Sequence, residues 1–229
     1  MGFNFHQSTI FKDALDREFR FFDVYQAQSQ PSYQTLITFF VIDNQITSQA
    51  ISIYRQQVNC KQVNCKQLIA IQVDEQVDKE ILALADNVIY CRDNQVENVF
   101  KAFDLMLADY GFIYLNAMDV EYLLQKNRYL IFVEYCQTGQ NIADLIDNNL
   151  KKVISRKPNS KVNGVLIVEI AQSEVYGFEN HGQVIQGIVD SGLLTENNDI
   201  FTAINFQGAE NVWEDGKMGH CLKVFFGFN

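Results

Sequence analysis

Glycine is nearly missing from the first half of this chain: of twelve glycines in 229 residues, only Gly2 precedes Gly111. None of the upstream strand-to-helix turns can therefore be a glycine-rich loop whose bare backbone N–H groups cradle phosphates. Asp43-Asn44-Gln45, after the first long apolar run, also brings a carboxylate where a phosphate would have to approach. Conventional nucleoside-triphosphate or dinucleotide binding is not expected on either ground. Basic residues are also in deficit, with 18 Lys and Arg against 28 Asp and Glu and a net charge of −10. Nucleic-acid affinity comes largely from Lys and Arg displacing counterions, so no nucleic-acid partner is expected. No run reaches the ~18 apolar residues of a membrane span, and Met1-Gly-Phe-Asn-Phe-His6 has neither the basic nor the apolar region of a signal peptide. The expectation is a soluble cytoplasmic chain without membrane insertion. Five cysteines, Cys60, Cys65, Cys91, Cys136 and Cys221, are odd in number and too sparse for a disulfide framework, which agrees with a reducing compartment. The three histidines (His6, His181, His220) are far apart, and no H-E-x-x-H, G-x-S-x-G or C-x-x-C is present. No catalytic residue, cofactor or metal is expected.

What the chain does contain is 48% hydrophobic and 13% aromatic residues, ample for a packed core. A short helix is predicted over 8–18 and a short strand within Phe19–Tyr25, before a polar break with Pro31. Thr35–Ile42 is a nearly unbroken apolar, β-branched run, the pattern of a strand buried on both faces. Ile46–Val58 carries helical spacing and Leu68–Val73 is a second buried strand, which completes a βαβ unit. Val77–Ala85 reads as a short helix, Asn87–Cys91 as a strand, and Gln95–Tyr110 as a long helix with Val96, Val99, Phe100, Phe103 and Leu107 on one side. After Gly111 the order is helix (Met118–Asn127), strand (Tyr129–Cys136), helix (Asn141–Ile154), strand (Gly164–Ile170), helix (Phe178–Ser191, with Gly192 suited to its C-terminus) and two closing strands, Asp199–Asn205 and His220–Phe226. The fold class is α/β: a reduced Rossmann-like parallel sheet, a long central helix, then a four-stranded sheet with two helices. The divisions fall at 1–94, 95–127 and 128–229.

Several features admit a sharp and a bland reading. Gln57-Val-Asn-Cys-Lys61 is repeated as Gln62-Val-Asn-Cys-Lys66. Cys60 and Cys65 could form a paired-thiol site, but with no nearby histidine the repeat reads better as an insertion in a surface loop. Acidic pairs such as Glu75/Asp78 and Asp144/Asp147 read as solvated helix faces, and Phe19/Phe21/Phe22 and Phe225/Phe226 as core. Trp213, in an acidic connection, could instead anchor a partner.

Gly111-Phe-Ile-Tyr-Leu-Asn-Ala-Met-Asp-Val120 resembles the synergy loop of the tubulin/FtsZ family, which in bacterial members reads approximately G-L-I-N-L-D-F-A-D-V. Phe103-Asp104-Leu105 resembles the end of that family's central helix. The order of elements down to Lys223-Val-Phe-Phe-Gly-Phe228 is similar to the FtsZ C-terminal domain, so the likeness covers about half of the chain. In the family, this loop presents acidic groups that help activate water against the GTP of a neighbouring subunit. Here Tyr114 stands where the motif has Asn, Asn116 replaces the first Asp, and Asp119 alone keeps a carboxylate. An amide cannot act as the general base.

The resemblance therefore implies a pseudo-GTPase that works through protein contacts, with itself or an FtsZ-type protein, in cell division or cytoskeletal assembly. Its interaction loop would present Tyr114, Asn116 and Asp119. The alternative is a small enzyme or ligand-binding protein that uses Asp43, Asp74 and Asp93 at the carboxyl ends of the upstream parallel strands. Asp74 and Asp93 read equally as turn or cap residues.

Overall fold

A computed structural model describes residues 22–25, 36–42, 46–60, 67–73, 79–107, 112–137, 162–171, 178–194, 198–205 and 220–229. The predicted helices over 8–18 and Asn141–Ile154, His6, the pairs Glu75/Asp78 and Asp144/Asp147, and Trp213 lie outside these residues. The chain divides into two compact units, Met1–Val96 and Glu97–Asn229.

The first unit is a parallel sheet of β1 (Phe22–Val24), β2 (Ile37–Ile42), β3 (Gln67–Gln72) and β4 (Asn87–Tyr90), paired in sequence order. Phe39, Phe40, Ile69, Ala70, Ile71, Val88 and Ile89 are wholly buried, as near-continuous apolar runs in a parallel sheet require. The crossover helices are α1 (Ser48–Cys60) and α2 (Lys79–Leu84). Arg55 of α1 donates to the Leu84 carbonyl at the end of α2 and to Asp86 Oδ1 at 2.7 Å. The other Asp86 oxygen accepts the Leu68 N–H at 2.8 Å, so one carboxylate ties a helix to the start of β3. The first copy of the Gln-Val-Asn-Cys repeat is a correction to the sequence reading: Gln57–Cys60 forms the last turn of α1, not a loop. Half-buried Val58 follows the buried Ile51 and Tyr54 at helical spacing, which agrees with a helix that runs through this turn.

A single 3₁₀ turn at Asp93–Gln95 leads into α3 (Val96–Met106), which from Glu97 onward belongs to the second unit. It continues through α4 (Ala117–Lys126), β5 (Tyr129–Gln137), β6 (Gly164–Ala171), α5 (Phe178–Asp190), β7 (Asp199–Asn205) and β8 (His220–Phe228). β8 runs antiparallel between β5 and β6, and β7 joins the far side of β6 in parallel. Phe103 of α3 packs edge-on against Phe225 of β8 at 5.3 Å between ring centroids, and Phe225 meets Phe132 of β5 at 4.9 Å. Val184 and Ile188 of α5 are wholly buried, and Gly192 ends that helix at φ 72°, the left-handed position that suits glycine. Cys91 is a buried free thiol. Cys221 is disulfide-bonded, and the ladder sets Cys136 opposite it, so the expectation of a wholly reduced chain is revised at that position.

Candidate functional site

The stretch from Phe112 to Asn116 runs extended between α3 and α4, so its residues alternate in direction. Ile113 and Leu115 are the inward pair. Ile113 forms an antiparallel bridge with Ile204 of β7, donating to its carbonyl at 3.2 Å and accepting its N–H at 2.7 Å. The Leu115 N–H donates to the Met106 carbonyl at 3.0 Å, which folds the loop back on the end of α3. Phe112 and Tyr114 point the other way and are 52% and 58% exposed.

Asn116 is the N-cap of α4. Its Oδ1 accepts the Asp119 N–H at 2.9 Å, and Asp119 Oδ2 accepts the Asn116 N–H at 3.2 Å. This reciprocal capping box satisfies two backbone donors that a helix start would otherwise leave open. Asn and Asp are equally good in the first position, so the amide keeps the loop's shape while it lacks a carboxylate's basicity. Val120, Leu123 and Leu124 turn inward from α4, while Met118 and Tyr122 stay 73% and 44% exposed. The Tyr122 ring meets Phe201 edge-on at 6.1 Å, and Lys126 Nζ lies over it at 4.3 Å while pairing with Asp199 at 2.7 Å. Asp199 and the Tyr122 hydroxyl hold the Lys126 pKa above its usual value.

The candidate loop residues Tyr114, Asn116 and Asp119 thus occupy one short, tightly held segment. The alternative set is not brought together among the described residues. Asp43 and Asp74 lie outside them, and Asp93 is an exposed residue opening the 3₁₀ turn. The described strands β1 to β4 pair in sequence order without reversal.

The sequence reading missed the exposed partners Phe112, Met118 and Tyr122, and two ionic pairs inside the second unit. Lys223 of β8 bonds Glu134, its register partner on β5, and Asn98 of α3 donates to the other Glu134 oxygen at 2.7 Å. Burial lowers the Lys223 pKa despite the opposing Glu134 charge. His181 of α5 bonds Glu169 of β6 through Nδ1; Glu169 is wholly buried, and its carboxylate raises the His181 pKa. The available signal was a charged residue inside each apolar strand, since a buried charge needs a partner.

No protein-family model and no curated protein sequence matches the chain. Solved structures do, and the class they define is the tubulin/FtsZ-like fold, a mixed α/β architecture. The W319Y mutant of FtsZ from M. jannaschii matches with a TM-score of 0.65 at 10% identity over 85% of this chain and 66% of that one. CetZ from Methanosaeta thermophila matches at 0.57 and 11% identity, covering 84% of this chain and 61% of its own. The GDP-form protofilament of TubZ from Bacillus thuringiensis serovar israelensis matches at 0.52 and 12% identity, covering 84% and 61%. The likeness is one of fold, and the chain spans 61–66% of the length of these proteins, less than two thirds of each.

Proposed function

We propose that this chain is a tubulin/FtsZ-like pseudo-GTPase that acts through protein contacts, with copies of itself or with an FtsZ-type partner in cell division or cytoskeletal assembly. The observation that carries the reading is the loop face. Phe112, Tyr114, Met118 and Tyr122 are large, apolar and exposed, and they stand within eleven consecutive residues fixed by a β-bridge and a capping box. Clustered exposed apolar side chains with tyrosine among them are characteristic of protein-binding surfaces. An FtsZ dimer and TubZ protofilaments are among the similar structures, which supports self-association as the first form to test.

Loss of turnover is supported by residue chemistry. Asn116 offers an amide where a general base would be needed, Asp119 is engaged in the helix cap, and glycine-rich phosphate loops are missing before Gly111. We read the compartment as cytoplasmic; the bonded Cys221 is the observation against a fully reducing one. Among the described residues no helix is long and apolar enough to cross a membrane.

Two measurements test the proposal. A GTP-binding and phosphate-release assay on the purified chain should show no turnover, and micromolar affinity with turnover would overturn the pseudo-GTPase reading. Sedimentation velocity, alone and with FtsZ polymers, should show association that Tyr114→Ser with Met118→Ser weakens. Absence of both self-association and co-sedimentation would overturn the contact reading. Alanine at Asp43, Asp74 and Asp93 should leave these behaviours unchanged.

A further inference from the structure

Helix α4 carries opposite charges at its two ends, on one flank of its outer face. Asp119 in the first turn and Lys126 in the last are seven residues apart, so they lie within about 20° of each other around the helix and roughly 10 Å apart along it. Met118 and Tyr122, four residues apart, form an exposed apolar ridge beside that flank, and exposed Gln125 extends it. The Tyr122 ring is held edge-on by Phe201 and is covered on one side by the Lys126 ammonium. Phe112 and Tyr114 continue the apolar surface ahead of the helix. Neither charge is saturated within the chain. Asp119 Oδ2 accepts the Asn116 N–H, but a carboxylate offers about four lone-pair sites; Lys126 donates to Asp199, but an ammonium carries three donors.

An acid at the start and a base at the end of one flank have a definite symmetry. Turned end over end about a two-fold axis, the flank sets Asp119 opposite Lys126 of the partner subunit and Lys126 opposite Asp119 of the partner subunit. The midpoint between the two charges falls beside Tyr122. Aligned in parallel, the same flanks would set like charge against like. We infer that the α4 face binds a second copy of this chain in an antiparallel, two-fold dimer, with Met118 and Tyr122 of both copies at its centre and two Asp119–Lys126 pairs at its rim. This rests on the contact reading above and names its partner. A chain of net charge −10 has no general attraction for its own copy, so these local pairs set the register. Exposed ion pairs add little affinity, and the apolar centre is small beside a standard interface, so the dimer belongs to the weak, reversible class. A two-fold contact uses the same patch on both copies, so it closes at two and cannot propagate into a filament.

The test is sedimentation velocity of the full chain over a concentration series. A monomer–dimer equilibrium without larger species is expected. Asp119→Lys sets base against base at both rim contacts and Lys126→Glu sets acid against acid, so each should weaken the dimer roughly 5–10-fold in Kd. An equal mixture of the two variants should recover the affinity of the parent, because both contacts then join a base to an acid. Mixing cannot repair a local defect in either variant, nor a contact that uses this face on one copy only. Asp119→Lys also removes one capping bond, so circular dichroism must first show a native fold. Tyr122→Cys decides the matter if it does not: mild oxidation should join the introduced thiols of two copies, a link mapped by peptide mass spectrometry. Open-ended association, single variants that dimerise like the parent, a mixture without recovery, or no link between the two copies at position 122 would each overturn the two-fold dimer and leave the contact reading standing. Absence of self-association together with absence of FtsZ co-sedimentation would overturn both.

Discussion

Replacing Gly227 with alanine should destabilise the protein by a mechanism that one second substitution can expose. A Cβ built on Gly227 would lie 2.4 Å from both Cγ and Oδ1 of Asn127 and 2.8 Å from its Nδ2. Those distances are far inside van der Waals contact, so one partner must move. Asn127 cannot move freely: it is 1% exposed, and its Nδ2 donates to the Leu123 carbonyl at 2.7 Å, one turn back in α4. Gly227 is held as well, between β5 and β6, with its carbonyl accepting the Asn163 N–H at 2.9 Å. A strand glycine here therefore marks a close approach of a neighbouring side chain. Overpacking of this kind typically costs about 1–3 kcal/mol. For a chain of this size each kcal/mol corresponds to a fall in Tm of roughly 2–4 °C. Asn127→Ala alone removes a buried hydrogen bond and should cost about 1–2 kcal/mol. In the double variant the new methyl occupies the space the amide has left, so the combined loss should fall short of the sum by ~1 kcal/mol or more. Urea denaturation of the four proteins, followed by circular dichroism, measures the cycle. A neutral Gly227→Ala, or additivity within about 0.5 kcal/mol, would refute the packing argument.

Asn116→Ala should cost about 1 kcal/mol in thermal unfolding through loss of the cap, while Asn116→Asp should stay within ~0.5 kcal/mol of the parent because either residue caps equally well. Lys223→Met should destabilise by roughly 3 kcal/mol in chemical denaturation, because it strands the partly buried Glu134 carboxylate, and adding Glu134→Leu should recover most of the loss. The Lys223 pair also predicts a sign with pH. Burial lowers the Lys223 pKa below 10.5, so above the folded value and up to 10.5 the unfolded chain holds more protons than the native one. The stability of the parent relative to the Lys223→Met/Glu134→Leu variant should therefore rise with pH across that interval. Arg55→Ala should lose about 1 kcal/mol or less in the same assay, since the Arg55–Asp86 pair is 38% and 33% exposed.

Much of the architecture was legible because the strands are either continuous apolar runs or end at recognisable turns. Thr35–Ile42 was read as a doubly buried strand and Ile37–Ile42 is one. The helix ending near Gly192 closes there because only a left-handed residue fits. Boundaries slipped where local preference is weak: α1 begins at Ser48 and extends to Cys60, so each end lies two residues later than in the predicted Ile46–Val58. At the loop, Tyr114, Asn116 and Asp119 could be picked out by comparison with a motif. Which alternate residues face solvent could not, because that choice depends on the Ile113–Ile204 bridge between segments distant in sequence. The Glu134–Lys223 and Glu169–His181 pairs were hidden for the same reason: a lone charge in a strand announces a need for a partner and does not name it.

The Ile113–Ile204 bridge has a consequence for how copies of this chain could meet. Among the described strands of its unit β7 pairs with β6 alone, and an open strand edge is a template for pairing with another chain. Ile113 occupies the hydrogen-bonding groups of Ile204 near the carboxyl end of that edge. Strand addition is blocked at that point, and the same backbone contact turns Phe112 and Tyr114 outward. Recognition there must proceed through side-chain fit, which can discriminate between partners, since backbone hydrogen bonding would accept almost any extended chain.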